Sequence, residues 1–186
     1  MIKKIALSLV LVSGLAFGQA KKVVSSDVHW WGYKIAKTEA SSHDGTVNVK
    51  NGTVVLKKNA LVGGTFVLDM TSINATDLQG EYQGKLNGHL KADDFFGTEK
   101  FPTAKLNFKK VVAKSANVYT VTGDLTIKGI TKPITFDLTT TANSATTKFM
   151  VDRTKYDIKY GSGTFFTSIG DKAIADEFEL DVTLKF

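Results

Sequence analysis

The sequence predicts an all-β fold, a closed antiparallel barrel of about eight strands with short helical insertions. Three observations carry this. From Val28 onward apolar residues mostly alternate with polar ones, the period of a strand with one buried face. Glycine, asparagine and serine clusters punctuate the alternation at intervals of roughly 8–12 residues, the spacing of an antiparallel sandwich or barrel. The strands are long, and in an open sheet they would leave long unpaired edges; closure removes those edges and favours the barrel.

The chain begins with Lys3 and Lys4, an apolar run from Ile5 to Phe17, and the small residues Gly18 and Ala20. A charged start, a short apolar run and a small-residue end have the form of a secretory signal peptide. Residues 1–20 are therefore expected to be removed, with cleavage after Gly18 or Ala20, leaving 21–186 as a single domain. The run is shorter than the ~20 residues that span a bilayer, and no cysteine follows it for lipid attachment. An exported, soluble product is expected, not an integral membrane protein. Without cysteine there are no disulfides, so burial and strand pairing must supply the stability. Removal of Lys3 and Lys4 lowers the formal charge from +6 to +4. The lysines are scattered singly along the strands instead of being gathered with aromatics, which argues against a nucleic-acid groove. It leaves a solvated surface, compatible with mild attraction to anionic headgroups.

Val28 to Ile35 reads as a first strand carrying Trp30, Trp31 and Tyr33, interrupted by Gly32, a residue that in a strand marks a bulge or bend. Gly45 to Lys50 and Thr53 to Lys57 flank Asn51-Gly52, a strong two-residue hairpin signal. Gly63-Gly64 opens a strand from Thr65 to Ile73, in which Phe66, Leu68 and Met70 share a face. Leu78, Tyr82, Leu86 and Leu90 then recur every four residues, the spacing of one helical face. Asp93 and Asp94 stand where they would cap a second short helix, and Pro102 ends it. Phe95, Phe96 and Phe101 in this insertion need an apolar surface, which a cap over the β-core provides. Thr103 to Val112, Val118 to Lys128, Pro133 to Thr141, Thr146 to Arg153 and Asp176 to Phe186 complete the strands, and a further short helix is expected before the last.

Little in the chain reads as catalytic. His29, His43 and His89 lie at no metal-ligand spacing and no cysteine joins them, so no metal and no other cofactor is expected. Adjacent carboxylates at Asp93 and Asp94 point in different directions and are explained by capping. Gly161-Ser162-Gly163 lacks the Lys-Ser/Thr of a phosphate loop, and there is no G-x-S-x-G elbow. Arg153, the only arginine, has two readings. One is an ion pair with Asp152 or Asp157; the other is a planar charged fork at a barrel mouth, suited to a phosphate or carboxylate headgroup.

His89-Leu90-x-x-x-Asp94-Phe95-Phe96, then Phe101-Pro102-x-Ala104, the run Gly123 to Pro133, and Asp152-Arg153 together resemble the signature of the YceI-like family. Asn87-Gly88 and Ala92 stand where that family often has Arg-Asp and Ser. The resemblance covers nearly the whole chain after the first twenty-odd residues. It implies a periplasmic, lipocalin-like barrel that is hollow and binds polyisoprenoids or other long-chain amphiphiles such as fatty acids. Strand alternation then nominates Phe66, Leu68, Leu106, Phe108, Leu125, Ile127, Ile134, Phe136, Phe149 and Leu180 as lumen-lining residues. Trp30, His89, Phe95, Phe96, Arg153, Phe165 and Phe166 are nominated for the lumen or its mouth. The expected partner is a long-chain lipid or isoprenoid ligand, with the protein a monomer or homodimer and not an enzyme. Two rival readings are a stress-related interaction protein with a solid barrel, and an enzyme on a lipid headgroup using His89 and Asp94 as acid and base.

Overall fold

Alternation builds the wall. In the computed structural model, which describes residues 18–35, 42–166, 168, 170 and 173–186, every second side chain of β6 (Val118–Ile127) is buried, from Tyr119 to Ile127. The other strands are β1 (Gln19–Lys22), β2 (Ser25–Lys34), β3 (Ser42–Lys57), β4 (Ala60–Ala75), β5 (Thr103–Ser115), β7 (Ile130–Thr140), β8 (Ser144–Asp152) and β9 (Ile174–Lys185). All pairings between them are antiparallel. The order β3-β2-β9-β8-β7-β6-β5-β4 closes through β4 onto β3, giving eight staves. β1 and β2 share one stave: both lie along β3 in one continuous register, Gln19 opposite Leu56 and His29 opposite Thr46. The signal segment expected over residues 1–20 lies, up to residue 17, outside the described residues.

Asn51-Gly52 is not a hairpin turn. β3 runs straight through it with a register shift against β4, and the turn comes later, at Lys58 and Asn59, both with positive φ. Two consecutive left-handed residues make the tight turn that matches strand twist. Gly52 is a glycine for a different reason: a Cβ there would stand 2.7 Å from the Phe66 ring. The two short strands expected on either side are therefore one strand of 16 residues, and β4 is correspondingly longer than Thr65 to Ile73.

The insertion after β4 holds one helix, α1 (Gly80–Lys91), not two. Residues Asp93 to Phe96 form turns instead, because their N–H groups close the end of α1. Phe96 N–H donates to the Leu90 carbonyl, Gly97 N–H to Ala92 and Thr98 N–H to Lys91. Asp93 caps nothing; its carboxylate pairs with Lys100 at 2.5 Å. Of the expected helical face, Leu90 is buried and Leu86 packs on the core, but Leu78 precedes the helix and Tyr82 is 73% exposed. Polar clamps hold the helix to β4 in place of a broad apolar face. The Asn87 side chain accepts from Ala75 N–H at 2.7 Å and donates to Asn74, while Gln83 donates to the Ala75 carbonyl. Before β9, where a short helix is expected, the described residues include a 3₁₀ turn, Arg153–Tyr156.

The wall has one weak seam. β7 and β8 pair only at Thr139–Thr146 and Thr140–Ala145. Beyond that point the Phe136 and Phe149 rings stack across the seam, 4.6 Å apart, and Thr147 donates to the Asp137 carbonyl. Toward the α1 end the wedge is filled by the 3₁₀ turn and the residues after it, with Tyr156 and Ile158 buried in the core.

Candidate functional site

Inside the barrel lies a cavity of about 150 Å³ whose lining is apolar almost throughout. It runs between two apolar clusters. One, at the α1 end, includes Val28, Trp30, Leu90, Phe95, Phe96, Leu125 and Ile127; the other, at the far end, includes Leu56, Phe66, Val121, Phe136 and Leu184. An engineered apolar cavity of about this size in another protein stays dry and takes up benzene. A space of this size has room for a ring-sized group or a short length of chain. A longer occupant requires wall side chains to swing aside.

Trp30, Phe66, Leu68, Phe95, Phe96, Leu106, Phe108, Leu125, Ile127, Phe136, Phe149, Arg153 and Leu180 line this cavity. Ile134 does not reach it and packs against both clusters instead. Phe165 and Phe166 are 48% and 49% exposed and do not line it. His89 stays outside as well, its ring 4.3 Å from Tyr160 and 5.2 Å from Phe95. Its Nε2 is buried without a hydrogen-bond partner among the described residues. Asp94 is exposed. Val28, Gly32 and Phe178, which share the strand parity of Trp30 and Leu180, also line the cavity, as do Ile174 and Ala175 at the β9 bulge, where alternation breaks.

The lining aromatics form two connected series. Phe95 meets Phe96 edge-on at 5.1 Å, and Phe96 meets Phe178 at 6.2 Å. Deeper in, Phe66 contacts Phe108, Phe108 contacts Phe136, and Phe136 stacks on Phe149. Phe95 and Phe96 both point inward from the loop after α1 and are buried, so they plug the α1 end.

Arg153 stands at that plugged end, 2% exposed, with the Phe95 ring over its guanidinium at 5.8 Å. Neither Asp152 nor Asp157 is its partner: Asp152 binds the Thr154 N–H and hydroxyl, and Asp157 pairs with Lys159. Four of its N–H groups go to main-chain carbonyls instead. Nε donates to Ala175 at 2.9 Å, Nη1 to Ile158 and Tyr160 at 2.8 Å each, and Nη2 to Ile174 at 3.1 Å. The nearest carboxylate, Asp176 Oδ1, is 3.7 Å away. Burial lowers the pKa of this arginine, and the negative charges of Asp176 and Asp152 pull it back up. Burial also pushes the neighbouring Tyr156 phenol up to about 12. Arg153 thus ties the loop after β8 to the start of β9.

Of the three histidines, His29 pairs with Asp44 at 2.8 Å and His43 with Asp77 at 2.7 Å. Among the described residues no three His, Cys, Asp or Glu side chains gather as a metal site, and no helix is long and apolar enough to cross a membrane.

The YceI-like domain family matches residues 20–186. A UPF0312 protein of Photorhabdus laumondii is 50% identical over 46 residues, which span 25% of this chain and 23% of that relative's length. Among solved structures, BcnA of Burkholderia cenocepacia superposes with a TM-score of 0.62 at 21% identity, over 87% of this chain and 96% of that one. A polyisoprenoid binding domain from Saccharophagus degradans, implicated in plant cell wall breakdown, superposes with a TM-score of 0.57 at 15% identity, over 92% and 97%.

Proposed function

The chain belongs to the YceI-like family, and from that premise we propose that it is an exported carrier whose barrel holds a long apolar chain, a polyisoprenoid or similar amphiphile. The observation that carries the reading is the lumen: an apolar cavity enclosed by the barrel, with a cluster of rings across one end. A solid β-core has no use for such a space, because unfilled apolar volume destabilises a fold. Moving one methylene from water into such a lumen contributes about 0.8 kcal/mol, so a twenty-carbon chain offers about 16 kcal/mol before ordering costs. Affinity then arises from length and girth, with few polar contacts.

The lumen takes its occupant by widening. The rings in its wall are the movable parts, and the thinly paired β7–β8 seam is where the barrel yields most easily. The plug formed by Phe95 and Phe96 sits on a loop outside the hydrogen-bonded wall and opens without breaking a strand pair. Export delivers the carrier to the periplasm. Cleavage after Gly18 leaves β1 whole, whereas cleavage after Ala20 removes two of its four residues.

Leu125 tests this directly. It is buried and lines the cavity, while its neighbour Thr126 faces outward and bonds to Thr131. Leu125→Trp fills a hollow lumen with little cost, whereas overfilling a solid core costs about 1–3 kcal/mol. The carrier reading requires a folded Leu125→Trp protein, near wild type in Tm when both are delipidated, that no longer takes up a long-chain probe. Thr126→Trp retains uptake. Equal uptake by wild type and Leu125→Trp, or an unfolded Leu125→Trp whose wild-type parent carries no lipid, contradicts it.

A further inference from the structure

Closure of the barrel gathers lysines that the sequence spreads along its strands. β5 carries Lys105, Lys109, Lys110 and Lys114 and no acid, whereas β9 carries Asp176, Glu177, Glu179 and Asp181 and a single lysine, Lys185. In the order of the eight staves β5 and β9 stand four apart whichever way the barrel is followed, so the basic and acidic staves lie on opposite sides. Lys57 and Lys58 join the basic side at the β3–β4 turn, at the same end of the barrel as the second half of β5. Lys109 and Lys114 have partners in Asp124 and Asp137. Lys57, Lys58, Lys105 and Lys110 are exposed and pair with no carboxylate among the described residues.

A bulge in β5 turns the lysines outward. Phe108 pairs with Gly123 and Lys110 with Thr122, so Lys109 is an extra residue and the alternation of faces changes there. In an unbroken strand Lys110 would share the inward face of Phe108, which lines the cavity. Instead Lys109 and Lys110 are both exposed and Val111 packs on the core. Past the same point β5 parts from β4, the terminal pair between them being Thr65–Asn107. At this rim of the barrel β5 has β6 along one edge and, among the described residues, no strand along the other. Val112 on β5 and Val62 on β4, each 47% exposed, stand on either side of the parting. Lysines on an open edge deter pairing with another chain, but that role needs no exposed valines and no acidic stave opposite.

We propose that this face, the second half of β5 with the β3–β4 turn, is a docking surface for a bilayer containing anionic phospholipid. The lysines lie over the phosphates, and Val62 and Val112 sit at headgroup level. Lysine is a flexible, strongly hydrated point charge that suits a fluid array of phosphates, whereas fixed phosphate recognition draws on the planar fork of arginine. The one arginine of the chain is buried elsewhere, at the plugged end. The one aromatic of β5, Phe108, points inward, so the stacking platform of a nucleic-acid groove is missing. The acidic stave is repelled by the same lipid surface and fixes which side of the barrel faces it. Docking requires no occupant in the lumen and so stands apart from the carrier reading. Where that reading holds, docking brings the Phe108 side of the lumen up to the bilayer, where an amphiphile resides.

The test measures binding of the delipidated mature chain to phosphatidylcholine vesicles with and without about one third phosphatidylglycerol. It is done at about 0.1 M salt, where charges more than ~10 Å from the lipid are screened. Wild type should bind the anionic vesicles, ignore the neutral ones, and be released in about 1 M NaCl. Lys57→Glu/Lys110→Glu should weaken binding by about tenfold or more. Lys34→Glu/Lys132→Glu, the same charge change at exposed lysines of β2 and β7, should weaken it by less than about threefold. The emission of Val112→Trp should shift to the blue on anionic vesicles, beyond any change in wild type. Equal weakening in both charge-reversed pairs reduces the effect to net charge and overturns the proposal. Wild type that binds no anionic vesicle overturns it too, and the lysines then only guard an edge. Salt-sensitive self-association that Lys57→Glu/Lys110→Glu abolishes, without vesicle binding, assigns the face to a second copy instead. Uptake of a long-chain probe without vesicle binding defeats the docking surface and leaves the carrier reading standing.

Discussion

Arg153 organises the plugged end of the barrel without being an ion-pair residue in the ordinary sense. A guanidinium offers five N–H donors in one plane, and four of them collect carbonyls from Ile158, Tyr160, Ile174 and Ala175. Replacing it leaves those carbonyls without their donor in a buried place, a loss of the kind that costs about 3–5 kcal/mol. Arg153→Met should therefore lower the urea-unfolding free energy by that order, and Arg153→Lys should recover less than half, since an ammonium cannot reach four acceptors in a plane. A change below about 1 kcal/mol in Arg153→Met would remove the clamp from the account. The sequence signals that a lone arginine follows a strand; it does not signal its partners. Main-chain carbonyls belong to every residue type, so a side chain that binds them leaves no complementary letter to read. Asp152 and Asp157 are the complementary charges nearest in sequence, and both are engaged elsewhere.

Among the elements, strands were more legible than the pieces between them. Parity in β6 separates inward Leu125 from outward Thr126 because a strand has only two faces and one is wet. The Asn51-Gly52 signal misleads because asparagine-glycine serves bulges as well as turns, and the tight packing of Gly52 under Phe66 is a long-range contact. The four-residue spacing around α1 found the helix but overstated its apolar face, since Asn87 and Gln83 hold it by hydrogen bonds to β4. A helix fixed at so few points, with Gly84 and Gly88 in its interior, opens more readily than the wall. Amide exchange should accordingly be faster from Gly80 to Gly97 than in β6, and it should slow on uptake of a long-chain ligand as the plug settles over the occupant. Equal protection of both segments, indifferent to ligand, would leave the barrel without a lid.

At the scale of the whole molecule, closure solves the edge problem and creates the lumen in the same step. Eight staves make an interior wide enough to be filled by side chains or to hold one ligand, and here the rings leave about 150 Å³ open. Strand number and parity foretold the barrel; how far its rings fill it was not legible, because that depends on rotamers and on which rings meet. The same holds for the splayed β7–β8 seam, which no local pattern in either strand announces. The account rests on the lumen having an occupant, and native mass spectrometry of the protein taken from its own host, followed by organic extraction, measures that without choosing a ligand in advance. It predicts a bound mass that leaves on activation, is recovered as an apolar chain, and is missing from folded Leu125→Trp protein prepared in the same way. Bare protein in every preparation, with wild type and Leu125→Trp alike, would contradict it.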